Sequence, residues 1–255
     1  MTERALSGGL PKRVKTYVIS LPSAVERRAS VCRQLEKSTV DWEIVDAIQA
    51  ATAEVSQVLD LCRESDQWHK PLQPGEVACY LSHRKVWRRM MEQEVDGAII
   101  LEDDFELTRP LEEIIALVSS FAMQADMIKL YGTPKISRIV ETVQDDRGTY
   151  GLLEAFAVTS GTVGQWVSAK ALPKLLAHSE HVRRPIDMDF KHHWEYPMSV
   201  YHLSPPVVHE ISSSLGGTSI THRKSQKTMR MQLKRWKLKA HFYLRSLKNY
   251  YGKSL

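Results

Sequence analysis

Hydrophobic and polar positions along the chain follow two periods, and the switches between them mark the elements. VKTYVISL (14–21) is rich in β-branched residues and predicts a first strand. Ser23 with Glu26 three residues on has the form of a capping box, and Val25, Ala29, Cys32 and Leu35 then recur at helical spacing. DWEIVDAI (41–48) predicts a second strand, and Val55, Val58, Leu59 and Cys62 a short helix. PGEVACYLSHRKVWRRMMEQEV (74–95) predicts a longer helix with Val77, Leu81, Trp87 and Met91 on or near one face, and Glu76 and His83 sharing a face two turns apart. The continuous apolar run in GAIILEDDF (97–105) is what a parallel strand covered on both sides requires. PLEEIIALVSSFA (110–122) has proline at a plausible first helical position, and DMIKLYG (126–132) returns as a strand.

After Gly132 the pattern changes. ISRIVETV, the turn-rich QDDRG and TYGLLEAFAV predict an antiparallel hairpin, and GTVGQWVSAKALPKLLAH (161–178) a short strand followed by a helix capped by Ser168 and interrupted by Pro173. Alternation of strand and helix in the first half with hairpins in the second predicts an α/β fold, a mixed sheet flanked by helices. No internal repeat or low-complexity linker divides it, so one domain over 1–222 is expected, followed by a separate C-terminal helix over 223–255.

Charge changes this picture at the C-terminus. The chain of 255 residues carries a formal net charge of +5, yet from Ile211 onward there are eleven Lys/Arg and no Asp/Glu, which leaves the first 210 residues at −6. In the tail Met229, Leu233, Trp236, Ala240, Leu244, Leu247 and Tyr251 follow three/four spacing, with Arg230, Lys234, Lys237 and Lys248 elsewhere around the helix. Such a basic amphipathic helix with aromatic residues suits an anionic membrane surface; the alternative is a terminal helix docked on its own domain or on a second subunit. The first fifteen residues lack the apolar stretch of a signal peptide and no apolar run reaches spanning length, so the expectation is a cytoplasmic protein, peripheral on the inner face of the membrane. Cys32, Cys62 and Cys79 have no zinc-ligand or CxxC spacing and are expected as reduced thiols.

The chemistry centres on Glu102, Asp103 and Asp104, three acids at the end of an apolar strand. Ligands of open α/β sheets sit outside the carboxyl ends of the strands. Strand alternation would point Glu102 and Asp104 to one side, where they can share Mg²⁺ or Mn²⁺, and Asp103 to the other. Such an ion is held by one or two carboxylates plus substrate phosphates, which makes a nucleotide diphosphate the natural ligand. A solvated turn, or a cap for the helix near Pro110, would explain the same acids.

Longer segments extend this reading: YVISLPSAVERR (17–28), WEIVDAI (42–48), PGEVACYLSHRKVW (74–87), AIILEDDF (98–105), DMIKL (126–130), SAKALPKLL (168–176) and RPIDMDF (184–190). In this order they resemble glycosyltransferase family 25, whose bacterial members include lipooligosaccharide galactosyltransferases. The resemblance implies a GT-A type, Rossmann-like fold, inverting transfer from a UDP-sugar, and a divalent metal at the acidic segment. Carried over residue by residue, Ser20, Leu21, Arg27 and Arg28 match the donor-side opening motif, Asp46 the acid after the second strand, and Asp187 the acid of PID. Pro173 and the segment 205–220, with His209, depart from the family pattern.

Inverting transfer needs a base for the acceptor hydroxyl, and Asp187 is the first candidate, with Asp189 its competitor and a helix N-cap its duller explanation. Asp103 is a candidate for a donor hydroxyl. Arg27 and Arg28 would brace a diphosphate or simply face solvent. Glu76 and His83 are candidates at the cleft, as against a satisfied structural histidine, and His202, His209 and His222 are candidate third ligands. The expected partners are a UDP-sugar and a lipid-linked oligosaccharide acceptor, with no nucleic acid. The rivals are another metal-dependent nucleotide-using transferase, such as a nucleotidyltransferase, and a non-enzymatic binder using the basic tail. The absence of a Walker or Rossmann glycine loop disfavours several other nucleotide enzymes.

Overall fold

The computed structural model describes residues 13–62, 67–212 and 229–252. Apolar runs become strands and amphipathic segments become helices in this order: β1 (Val14–Ser20), α1 (Val25–Leu35), β2 (Trp42–Asp46), α2 (Ala53–Cys62), α3 (Pro74–Glu92), β3 (Gly97–Glu102), β4 (Phe105–Leu107), α4 (Leu111–Phe121), β5 (Met127–Lys129), β6 (Ser137–Asp145), β7 (Gly148–Ala155), β8 (Gly164–Ser168), α5 (Leu172–His178), α6 (Ile186–Lys191), β9 (Val200–Ser204), β10 (Val208–Glu210) and α7 (Met229–Tyr251). Eight strands form one mixed sheet in the order β2-β1-β3-β8-β5-β9-β7-β6, and β4 pairs with β10 in a small second sheet. The first three run parallel, while β8 is antiparallel to both β3 and β5.

Alternation along the strands builds two cores. Tyr17, Ile19, Ala98 and Ile100 face one layer with Val77, Leu81, Trp87 and Met90 of α3, Leu172 and Leu175 of α5, and Phe190 of α6. Val18, Ile99 and Leu101 face the other layer, with Val31 and Leu35 of α1 and Ile114, Leu117, Val118 and Phe121 of α4. Each fully buried aliphatic or aromatic side chain contributes about 1.5–3 kcal/mol, so the sheet is held from both sides. Gly97 lies under Trp166, where a Cβ would come within 2.3 Å of the indole ring. No side chain larger than hydrogen fits there.

Several local expectations are corrected. The Ser23–Glu26 box does not form: α1 starts after Ala24 without a side-chain cap, and Val31 with Leu35, not Val25, Ala29 or Cys32, forms its buried face. The capping box sits instead at α3, between Gln73 and Glu76. On α3 it is Met90 that is buried and Met91 that is half exposed. Ser168 caps nothing; its hydroxyl donates to the Asp126 carbonyl, and a 3-10 turn over Ala169–Ala171 leads into α5 with Pro173 in its first turn, so the proline breaks no helix.

The tail helix α7 rests on the body through Phe242, Ser246 and Tyr250. Phe242 lies 5.2 Å from the His192 ring and 5.4 Å from Trp194, and Tyr250 is 5.9 Å from Phe156, with Arg138 over its face. Most of the stripe expected to be the apolar face points away from the body: Met229, Leu233, Trp236, Ala240, Leu244 and Tyr251 are exposed, and Leu247 is half-buried. The boundary expected near residue 222, and His222 itself, lie outside the described residues.

Candidate functional site

The carboxyl ends of β2, β1 and β3 lie side by side, with Ser20 paired to Asp46 and Ile19 to Glu102. Outside them opens a cleft of about 890 Å³. One wall is the turn after β1 with Arg27, another is the first half of α3, and Glu102, Asp103, Asp104 and Glu210 bring four carboxylates to it. Glu210 arrives through the small sheet, where it pairs with Phe105, and the Ile211 amide donates to the Asp104 carbonyl at 2.8 Å.

The alternation expected for the acids stops at Glu102, because β3 ends there and Asp103 and Asp104 form a turn. Both aspartates consequently meet Arg27: Nη1 donates to Asp103 Oδ1 at 2.9 Å and lies 3.5 Å from Asp104 Oδ2. Ser20 Oγ donates to the other Asp103 oxygen at 2.6 Å. Asp103 is thus held at both oxygens. Arg28 turns the other way, donating to the Ser20 and Leu21 carbonyls and to Asp46, whose carboxyl that bond holds below its ordinary range. It ties the ends of β1 and β2 together behind the cleft, while Arg27 stands in it.

The remaining acids are poorly compensated. Burial pushes Glu102 up to about 7, and the charge of Asp104 adds to this, against a hydrogen bond from Thr162 Oγ1 that favours the carboxylate. Asp104 is raised by burial and by Asp103 and Glu210, with Arg27 opposing, and its Oδ1 is buried without a partner among the described residues. An unpartnered buried oxygen among four acids, with Arg27 and the buried Lys129 as the nearby cations among the described residues, fits a hard divalent ion held by carboxylate oxygens.

Below the cleft floor the Gly161–Thr162 turn links two elements. Thr162 donates to Glu102, and the Gly161 amide donates to Asp187 Oδ2 at 3.3 Å. Asp187 is in the first turn of α6 but is not its N-cap, a position taken by Pro185. Lys129, fully buried on β5, donates to the Gly161 carbonyl; burial lowers it to about 8, with the charges of Asp187 and Glu102 opposing the fall. Asp189 faces elsewhere, into a buried network where Tyr80 Oη donates at 2.6 Å, His178 Nε2 lies at 3.0 Å and Arg184 at 3.5 Å.

Glu76 and His83 do not meet. The Glu76 carboxylate accepts from the Gln73 amide at 2.8 Å and from Lys70 at 2.9 Å, a helix-capping arrangement. His83 lines the cleft and is held neutral, pushed down to about 4 by burial. His202 is buried beneath, pushed down to about 3 by burial and by Lys129, and His209 is exposed on β10; Glu210 beside it is the residue that reaches the cleft. Trp166 belongs to the core, and Trp194 packs against α7. Sequence reasoning missed Thr162 and Glu210, which come from segments with no acidic or glycine motif. Lys129 carried a signal, since it is the one charge in the three-residue strand β5, buried throughout.

With this geometry in view, the sequence model of glycosyltransferase family 25 (LPS biosynthesis protein) matches residues 13–190, from β1 to α6. The chain belongs to glycosyltransferase family 25. The match takes in Arg27, the three consecutive acids, Lys129, Thr162 and Asp187, and stops short of Glu210 and α7. Among relatives, procollagen galactosyltransferase 1-A of Xenopus laevis is 27% identical over 205 residues, covering 75% of this family 25 chain but 33% of its own length. The chain therefore spans about a third of the procollagen galactosyltransferases it matches. The lipooligosaccharide biosynthesis protein lic2B of Haemophilus influenzae is 24% identical over 201 residues, covering 75% of this chain and 74% of the relative. A solved glycosyltransferase involved in glycosylation of the major capsid of PBCV-1 covers 88% of the chain and 99% of its own at 9% identity and a TM-score of 0.37. At that distance it adds nothing to the assignment.

Proposed function

We propose that the chain is an inverting, metal-dependent hexosyltransferase that moves galactose or glucose from a UDP-sugar to a lipooligosaccharide or lipopolysaccharide core. The observation that carries this reading is the acid-lined cleft at the ends of three parallel strands, with Asp104 Oδ1 buried in it and unpartnered among the described residues. Glu102 and Asp104 would hold Mn²⁺ or Mg²⁺, and Glu210, whose charge acts on Asp104, lines the same cleft. When bound, the ion offsets charge on the departing diphosphate. Arg27 braces phosphate oxygens in the same cleft, and Asp103, fixed by Ser20 and Arg27, presents a rigid acceptor to a ribose or sugar hydroxyl.

Asp187 takes the proton of the acceptor hydroxyl. Its carboxylate is oriented by one long amide bond and lies near the buried Lys129, so it keeps lone pairs to receive a proton. The acceptor oxygen bonds the sugar's anomeric carbon as the bond to UDP breaks on the opposite face, and configuration inverts. Asp103 is too fully hydrogen-bonded for that task. A nucleotidyltransferase would use similar acids; it would release pyrophosphate where sugar transfer releases UDP.

The exposed stripe of α7 supports a place at the membrane. Trp236, Leu233 and Leu244 project from the same helix as the exposed cations Arg235, Lys237, Arg245 and Lys248, the composition that anionic bilayers attract, and a lipid-linked acceptor resides there. Among the described residues no helix is long and apolar enough to cross a membrane. The test is a panel of UDP-sugars titrated with and without Mn²⁺. Wild type should bind one donor in an Mn²⁺-dependent way and release UDP, and Asp104→Asn should lose that binding with its melting transition retained. Unchanged binding and turnover in Asp104→Asn would refute the assignment.

A further inference from the structure

Cys79 and His83 lie one turn apart on α3 and both line the cleft, facing the end of β3. Cys79 Sγ is 3.7 Å from Glu102 Oε1 and 4.0 Å from His83 Nδ1, and one ligating atom from each of the three residues lies within 4.8 Å of the others. Around a tetrahedral zinc ion, with Zn–S about 2.3 Å and Zn–N or Zn–O about 2.0–2.1 Å, sulfur and nitrogen or oxygen ligands stand about 3.6 Å apart. The three ligating atoms already lie within 4.8 Å of one another, so convergence by about 1 Å at most would complete three corners of such a site.

A second observation points the same way. His83 is fully buried, Nδ1 faces the Cys79 carbonyl at 3.0 Å, and Nε2 is buried with no partner among the described residues. Buried imidazole nitrogens are ordinarily satisfied, so this ring has hydrogen-bonding capacity that no described residue uses. The donor set of thiolate, imidazole and carboxylate differs in kind from the all-oxygen set beside it. Sulfur and nitrogen select zinc-class ions, whereas Mg²⁺ and Mn²⁺ prefer oxygen.

We propose that Cys79, His83 and Glu102 form a binding site for a thiophilic divalent cation of the zinc class at the floor of the cleft, overlapping the oxygen-ligand site through Glu102. Binding releases the Cys79 thiol proton to solvent; His83 enters as neutral imidazole and Glu102 as carboxylate, and the fourth position opens to the cleft. Because one carboxylate cannot serve both ions in full, occupancy here displaces the hard ion. That consequence rests on the metal-dependent reading above, while the site itself does not.

The probe is Co²⁺ added to the purified full-length chain, with Zn²⁺ as displacer. Wild type should show a thiolate-to-cobalt charge-transfer band that saturates at one ion per chain and is abolished by Zn²⁺. Cys79→Ser should lose the band, while Cys32→Ser and Cys62→Ser keep it. His83→Gln, which leaves the thiol in place, should weaken Co²⁺ binding at least tenfold and covers the case in which Cys79→Ser fails to fold. Asp104→Asn separates the two readings, since it should lose Mn²⁺-dependent donor binding yet retain the band. A wild type without the band, a band that persists in Cys79→Ser, or unchanged affinity in His83→Gln would each overturn the proposal.

Discussion

Thr162→Val tests the electrostatics of the cleft with a near-isosteric change. Thr162 is buried, and its hydroxyl donates to Glu102 Oε1. That bond favours the ionised carboxylate, whereas burial and the neighbouring Asp104 charge favour the protonated form and together place Glu102 at about 7. A hydrogen bond to a charged group is worth about 1.5–3 kcal/mol, and one unit of pKa corresponds to about 1.4 kcal/mol, so valine should raise Glu102 by about 1–2 units, toward 8–9. Metal must displace the proton, so affinity grows with pH until Glu102 is ionised and then levels. The sign follows: the midpoint of Mn²⁺ affinity against pH, near 7 in wild type, should move alkaline by about 1–2 units in Thr162→Val, with the deficit largest near pH 6–7 and closing at high pH. Isothermal titration with Mn²⁺ from pH 5.5 to 9, with melting temperatures as the folding control, reads it directly. An unshifted midpoint, or a loss of affinity equal at every pH, would refute the reasoning.

Other perturbations probe the parts separately. Lys129→Met removes the ammonium facing Asp187 and Glu102 and leaves the Gly161 carbonyl unpaired; it should cut kcat/KM about 10–150-fold and move the acidic limb of its pH profile to higher pH, since the lost charge favoured the ionised form of Glu102. A profile identical to wild type would exclude this role. Gly97→Ala places a methyl group where the Trp166 ring lies 2.3 Å away and should cost about 1–3 kcal/mol in urea unfolding; a wild-type midpoint would contradict the packing described. Trp236→Glu changes a residue that is 71% exposed, so stability should hold while association with anionic liposomes falls about tenfold or more. Equal liposome binding would remove α7 from the membrane contact.

The sheet was legible in β3, where burial on both faces demanded an unbroken apolar run that few other structures tolerate, and in β1, whose β-branched residues favour a strand despite Lys15 near its start. Helix rotation was harder to read. Val25 and Cys32 sit at helical spacing with Leu35, yet Val31 and Leu35 are what α1 buries, a choice made by the sheet surface beneath rather than by α1 alone. Caps erred too: Ser23 and Ser168 have suitable hydroxyls, yet the caps that form are Thr52, which accepts from the Val55 amide at the start of α2, and Gln73 with Glu76 at α3. The acids of the cleft were visible in the sequence as a local run. Their arrangement was not, since two-residue alternation fails at the turn that brings both Asp103 and Asp104 onto Arg27. Thr162, Lys129 and Glu210 reach the same place from segments 27 to 108 residues beyond Glu102, distances that no motif spans. The stripe read on α7 is there, but the body holds the helix by a different face and leaves most of it exposed.

The central claim is that Glu102 and Asp104 jointly hold a divalent ion against the diphosphate of the donor. A crystal structure grown with UDP and Mn²⁺ tests it most directly through the anomalous signal of manganese. A single strong peak within coordination distance of both carboxylates and of the UDP phosphates is the predicted result. UDP bound in the cleft with both side chains turned away from the peak, or with no peak at all, would contradict it.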